Sequence, residues 1–442
     1  MTRLLACALT LAIGFLPSFA EPKHQQILRS IMADTSQANW FEKELPDANI
    51  VPGAERMDMY LHLLLGKKVA VFANHTSLVK NSNLVDTLLK RGINVTVVFG
   101  PEHGFRGNAD AGAKISNYTD EKTGVPVVSL YGSKLKPSPE DLKNVDILVF
   151  DIQDVGTRFY TYISSMQLYM EAAVENDKPL LLLDRPNPNG FYVDGPILDT
   201  AFRSFVGMQR IPIAYGMTIG EYAMMLLREG WLNKNPKFTF VNIDNKYDER
   251  IQMQSQVPGQ QFALNIIKCA GYTHKSLYQL PVKPSPNLPD MSSVYWYAST
   301  CWFEGTVLSE GRGTEKPFQL FGHPSLPKDL ISFTPRSMPG AANPKLKDQL
   351  CYGWDVSGSN EEVLKKTDRK IQLKYIIEAY RLFPNKDSFF RANNSFNRLA
   401  GNDVLMKQIK QGVSEKDIRK SWEPALSEFK KTRKKHLLYK DF

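Results

Sequence analysis

The segment PEHGFRG, residues 101–107, sets a carboxylate and an imidazole side by side, Glu102 and His103, with a guanidinium close by at Arg106. It ends the apolar run INVTVVF, and its backbone is broken by Pro101, Gly104 and Gly107. Glutamate is a poor turn former and costly to bury without a role, so its position where an apolar run stops marks it for chemistry. Other apolar runs end in the same way. Asn74 and His75 follow KVAVFA, Tyr131 follows VPVVSL, and Asp151, Gln153, Asp154 and Arg158 follow VDILVF. Asp184 and Asn187 follow KPLLLL, and a later Gly-rich stretch, EGTVLSEGRGTEKPF, adds Glu310 and Arg312. A carboxylate among amide, hydroxyl, imidazole and guanidinium groups points to acid–base work on a sugar. Duller roles compete at each position: Asn74 and Asp154 suit helix caps, DRPNPNG is turn chemistry throughout, and Asp151 can pair with Arg158. The two histidines can likewise be satisfied structural imidazoles.

These side chains serve one site only if the chain gathers them. From residue 68 onward, strands that are apolar throughout alternate with amphipathic helical segments, which predicts a parallel sheet covered on both faces, an α/β fold. In such a sheet ligands bind at the carboxyl ends of the strands, where each of these polar sets falls. TIGE, from Thr218, reads as a capping box, which makes Glu221 structural. After about residue 245 the strand–helix rhythm fades, so a first domain is expected over residues 45–245 and a smaller α+β domain over 246–442.

Composition narrows the classes. The 442-residue chain is 43% hydrophobic with a formal charge of +9, that of a folded protein with a basic surface suited to an anionic partner. No nucleic-acid-binding motif accompanies the basic run FKKTRKKHLLYK, so nucleic acid is not expected. Residues 1–20 carry one basic residue, a short apolar run and SFA before Glu21, which predicts a signal peptide, an exported chain, periplasmic or secreted, and no stable membrane insertion after its removal. Cys269, Cys301 and Cys351 show no metal-ligand spacing and read as buried fillers. There is no G-x-S-x-G elbow, no glycine in NHTS for a dinucleotide and no H-E-x-x-H, so neither cofactor nor metal is expected.

NHTS, PEHGFRG, DIQDVGTRFYTY, DRPNP, VDGP, YGMTIGE, SPNLP and EGRGTEKPF occur in this order. Together they resemble the exo-β-N-acetylmuramidases of the NamZ type, glycoside hydrolase family 171, from about Ala70 to the C-terminal helices. The resemblance implies a Rossmann-like N-terminal domain, a smaller C-terminal domain and an active cleft between them. It implies release of N-acetylmuramic acid from the non-reducing ends of peptidoglycan fragments, with Glu102 catalytic. The chain departs from the family pattern at Val307 and Gln319, where asparagine and a carboxylate are usual. On this reading Glu102 is the general acid, tuned by His75 and His103. Asp151, Asp154, Glu310 or the substrate's acetamido group is the second catalytic group. Asn74, Tyr131, Gln153, Asp184 and Asn187 would contact the sugar, Tyr131 by stacking. Arg106, Arg158 or Arg312 would hold the lactyl carboxylate, while Trp296 and Trp302 are expected in the core. A non-catalytic glycan-binding protein and a glycan esterase or deacetylase are the alternatives.

Overall fold

The five apolar runs form strands, and all five lie parallel. In the computed structural model, which describes residues 50–107, 116–234, 236–241 and 250–442, β1 is Lys68–Ala73, and β2 (Leu78–Val79) and β3 (Ser82–Asn83) form a small ladder after it. The main sheet continues with β4 (Asn94–Gly100), β5 (Tyr118–Thr119), β6 (Pro126–Ser129), β7 (Ile147–Asp151), β8 (Leu180–Leu183), β9 (Phe238–Val241), β10 (Arg250–Ser255) and β11 (Ala263–Ile267). Its order is β5-β6-β4-β1-β7-β8-β11-β10-β9, parallel from β6 to β11 and antiparallel at both edges. The chain runs outward from β1 through β4 to β6, then returns to lay β7 on the other flank of β1, so the order reverses there.

Burial explains the strand composition. Val69–Ala73 and Ile147–Asp151 are buried at every position, as parallel strands covered on both faces must be. Helix α1 (Leu84–Lys90) follows β1, capped by Asn83, whose side chain accepts from Val85 N at 3.0 Å. Helix α2 (Tyr162–Glu175) follows β7 and seats Tyr169 against Phe72 and Phe150, with ring centroids 5.2 and 6.1 Å apart. Helix α3 (Ile219–Arg228) opens on the expected capping box, Thr218 with Glu221.

The sheet does not stop at residue 245. β11 pairs parallel to β8, and β10 pairs antiparallel to β11, so residues 250–267 complete the sheet rather than open a second domain. The smaller layer begins later, with helix α4 (Met291–Thr300) and an antiparallel three-stranded sheet of β12 (Leu320–His323), β13 (Ile331–Phe333) and β14 (Cys351–Asp355), ordered β12-β14-β13. One apolar core runs through both parts, from Phe72 and Phe150 to Trp296, Trp302 and Phe321. Both tryptophans are fully buried within it, as expected. Part of the basic C-terminal run is also structural. After helix α5 (Glu415–Lys434) the chain returns to the sheet, where Tyr439 Oη donates to Asp184 at 2.6 Å and the buried Arg433 pairs with Asp441 at 2.8 Å.

Cys269, Cys301 and Cys351 are buried free thiols. Among the described residues no helix is long and apolar enough to cross a membrane, and no cluster of three metal-ligating side chains occurs. The expected signal peptide, residues 1–20, lies outside the described residues.

Candidate active site

Beyond β4 the chain turns sharply. Gly104 N bonds Pro101 O at 3.0 Å, and His103 and Gly104 both take positive φ. The loop is anchored by Arg106, whose guanidinium meets Asp120 at 2.7 Å and Asp86 at 3.0 Å and lies over the Phe105 ring. Gly107 closes the turn with φ of +76° directly on His75, where a Cβ would sit 2.3 Å from Nδ1. Side-chain-free backbone is required at that approach. The outcome is a rigid platform that carries Glu102, half-buried, to the rim of a hollow of about 270 Å³.

Both parts of the fold line this hollow. Glu102, His103 and Tyr131 come from the ends of β4 and β6, Phe159–Thr161 from the segment between β7 and α2, and Tyr162 from the first position of α2. Ser285, Asn287, Tyr297, Glu304, Arg312 and Phe318 come from the later chain. Tyr131 Oη donates to Glu102 Oε1 at 3.0 Å. Burial, and then the Glu102 charge, push the Tyr131 phenol well up, so it stays a donor at any ordinary pH. Also on the lining, Glu304 Oε1 accepts from Arg312 Nη2 at 2.6 Å. Arg312 Nε lies 3.4 Å from Glu310, and Lys345 Nζ 2.8 Å from the other Glu310 oxygen. Burial alone would raise the Glu310 carboxyl, but the Lys345 and Arg312 charges outweigh it and hold it ionised.

Of the residues expected at the site, Glu102, His103, Tyr131 and Arg312 face the hollow. The others do not, and each is engaged in holding the fold. Asp151 is sealed against Arg185, not Arg158, at 2.6 Å. Arg158 gives its guanidinium to the carbonyls of Pro196, Ile211 and Leu399 at 2.8–3.0 Å, and burial pushes it down to about 9. Arg106 is consumed by its two aspartates, so neither it nor Arg158 is placed for a lactyl group. Asp184 caps α3 through Thr218 and Gly220 N, at 2.7 and 2.9 Å. Gln153 and Asn187 bond backbone carbonyls, Gln153 to Pro186 at 2.7 Å and Asn187 to Met217 at 2.8 Å. Asn74 stands one layer behind the hollow and donates to Tyr162 Oη at 2.9 Å. His75 Nε2 meets the Lys283 carbonyl at 2.9 Å, and burial holds its ring below the usual histidine range, so it braces the loop as a neutral imidazole.

Asp154 is also buried, accepting from Tyr215 Oη and from Gly156 N, and burial pushes it up to about 6. A carboxyl whose native pKa is raised takes up its proton in the folded state before the unfolded chain does. Its ionisation therefore weakens the fold as pH rises from about 4 to about 6, by up to about 3 kcal/mol. Asp154→Asn keeps an acceptor for Tyr215 and Gly156 without the charge. It is expected to match or exceed the parent in thermal melts at pH 7, and to lose part of the parent's gain in stability on acidification to pH 5. A strongly destabilised variant at pH 7 would contradict this account.

Glu304, Tyr160 and Tyr162 were not expected to face the hollow. The signal was present, because Glu304 opens the Gly-rich stretch that also contains Glu310, and both tyrosines lie in DIQDVGTRFYTY. Val307 and Gln319, the departures from the family pattern, are not among the lining residues, and Gln319 instead donates to Asp290 at 3.1 Å.

Fold and site together define an α/β protein whose strand-end loops and later segments enclose a sugar-sized hollow lined by two carboxylates, Glu102 and Glu304. The chain belongs to the exo-β-N-acetylmuramidase NamZ family: it matches that family's N-terminal domain over residues 69–292 and its C-terminal domain over residues 295–439. It is 41% identical over 401 residues to the peptidoglycan β-N-acetylmuramidase NamZ of Bacillus subtilis (strain 168), covering 86% of this chain and 89% of that protein. Two crystal structures of DUF1343 family proteins from Bacteroides fragilis are similar. One is 44% identical with a TM-score of 0.76, the other 28% identical with a TM-score of 0.70, and each match covers 89% of this chain and all of the other.

Proposed function

We propose that the protein is an exported exo-β-N-acetylmuramidase that releases N-acetylmuramic acid from the non-reducing ends of peptidoglycan fragments, with Glu102 as general acid. The observation that carries this reading is the placement of Glu102, in a member of this family, on the wall of a hollow sized for one sugar unit. At about 270 Å³ it falls at the small end of ligand pockets, which suits a terminal residue better than the interior of a polymer. Glu102 gives its proton to the bridging oxygen as the bond to the anomeric carbon breaks, and Tyr131 fixes the carboxyl by its hydrogen bond. Of the three arginines considered, Arg312 is the one that lines the hollow, and although Glu304 and Glu310 already pair with it, it is the one of the three that a lactyl carboxylate in the hollow could approach. Aromatic walls from Phe159, Tyr160 and Tyr162 suit the apolar faces of a pyranose. The N-terminal signal-like sequence supports export, periplasmic or beyond, where peptidoglycan lies.

The test is to incubate the protein with 4-nitrophenyl N-acetyl-β-muramide and with the matching glucosaminide, following nitrophenol and sugar products. Cleavage of the muramide with little of the glucosaminide is expected. Saturable binding without cleavage would make it a glycan-binding protein, release of acetate or lactate an esterase or deacetylase, and cleavage of the glucosaminide alone would contradict the lactyl pocket.

A further inference from the structure

Glu304 lines the same hollow as Glu102, on the short turn Cys301–Gly305 that follows α4. Its side chain keeps 31% of its surface open, so it is neither sealed in the core nor loose in solvent. The turn that carries it is braced from three directions. Lys345 Nζ donates to the carbonyls on either side, Phe303 O at 2.7 Å and Thr306 O at 3.2 Å. Gly305 lies so close to Phe396 that a Cβ there would sit 2.5 Å from its Cα. Arg312 holds the carboxylate itself at 2.6 Å, and the buried Glu310 balances both cations from behind. Four charges thus form a neutral network with one member, Glu304, on the lining that Glu102 shares. The Tyr131 phenol feels the charge of both glutamates.

From this geometry we infer that Glu304 is the second catalytic carboxylate, a role distinct from that of Glu102, and that Lys345 is its positioning residue. The inference rests on reading the hollow as the sugar-cleaving site. As the bond to the anomeric carbon breaks and its electron pair leaves on the bridging oxygen, positive charge develops on that carbon and the ring oxygen. The Glu304 carboxylate, fixed in advance by Arg312 and the braced turn, lies against that charge and lowers the barrier without having to reorganise; water then adds to the anomeric carbon, and the proton it sheds restores the one Glu102 gave to the leaving oxygen. Glu310, which the sequence offered for this part, is turned away from the hollow toward Lys345 and acts only through its neighbours.

Glu304→Gln keeps the volume and an acceptor for Arg312 but removes the charge. It is expected to lower kcat about 100-fold on both a muramyl disaccharide and the 4-nitrophenyl muramide, with KM changed less than about threefold. Glu304→Asp, which keeps the charge but withdraws it by one methylene, should fall between the two. Lys345→Met should lower kcat while leaving KM, and Lys345→Arg should recover part of the loss. Similar loss on both substrates separates this role from that of Glu102, whose removal costs the nitrophenyl substrate far less than the disaccharide. Glu304→Gln with normal kcat and a lowered melting temperature would make Glu304 a structural ion pair and overturn the inference, whatever Glu102→Gln shows. Should Glu304→Gln not fold, Glu304→Asp with unchanged kcat would overturn it equally.

Discussion

Glu102→Gln is expected to lower turnover of a muramyl disaccharide by about 1,000-fold, with the melting temperature within a few degrees of the parent. The amide still accepts from Tyr131 Oη at the place where Oε1 lies 3.0 Å away, so the rim of the hollow keeps its shape. What it loses is the proton. A poor leaving group such as a sugar hydroxyl needs that proton as the bond breaks, whereas nitrophenolate departs without it. The loss on 4-nitrophenyl muramide should therefore be far smaller, near tenfold, and the ratio of the two losses isolates proton donation from any general disturbance. Steady-state kinetics on the two substrates reads it directly. Equal losses on both would move Glu102 out of the acid role.

The second large effect is on stability. Arg185 and Asp151 form a doubly hydrogen-bonded pair at 2.6 and 2.8 Å, with 2% and 0% of their side chains exposed, at the junction of β7 and β8. Arg185 also donates to Leu78 O, tying the ladder after β1 to the same point. Arg185→Met leaves a buried carboxylate without its counter-charge, and a loss of about 3–5 kcal/mol is expected in urea titrations. Burial pushes the Asp151 carboxyl up, so in the variant it takes up a proton as pH falls and the deficit shrinks toward acid. Neither residue reaches the hollow, so activity per folded molecule should match the parent at temperatures where the variant is native. Normal stability with lost activity would return Asp151 to the catalytic set.

These two outcomes divide the polar strand ends into those that act and those that hold, a division the sequence carries unevenly. The five parallel strands were readable because each is apolar along its whole length, a pattern that only a sheet covered on both faces requires. β11 escaped because Asn265 interrupts its apolar run and it follows an antiparallel excursion, so nothing local distinguishes it from a loop of the next domain. Glu102 was readable because glutamate is uncommon as an N-cap or turn former, so a strand-end turn that carries one asks for another reason. Asp151, Asp154, Asp184 and Asn187 were drawn to the site by their position. Yet in a sheet buried on both faces the same position is where carboxylates are needed to cap α3 and to neutralise Arg185. Choosing between Glu304 and Glu310 was beyond sequence, since six residues apart in a Gly-rich stretch either can turn inward, and Lys345, which decides it, is remote in the chain.

The most direct test of Glu102 as the proton donor is a crystal structure of Glu102→Gln with an uncleaved muramyl disaccharide. The muramyl ring should fill the hollow beside Tyr131, with the side-chain amide of residue 102 within about 3.2 Å of the bridging oxygen and Glu304 facing the anomeric carbon. A disaccharide bound with its bridging oxygen beyond reach of residue 102, or seated outside the hollow altogether, would contradict the account.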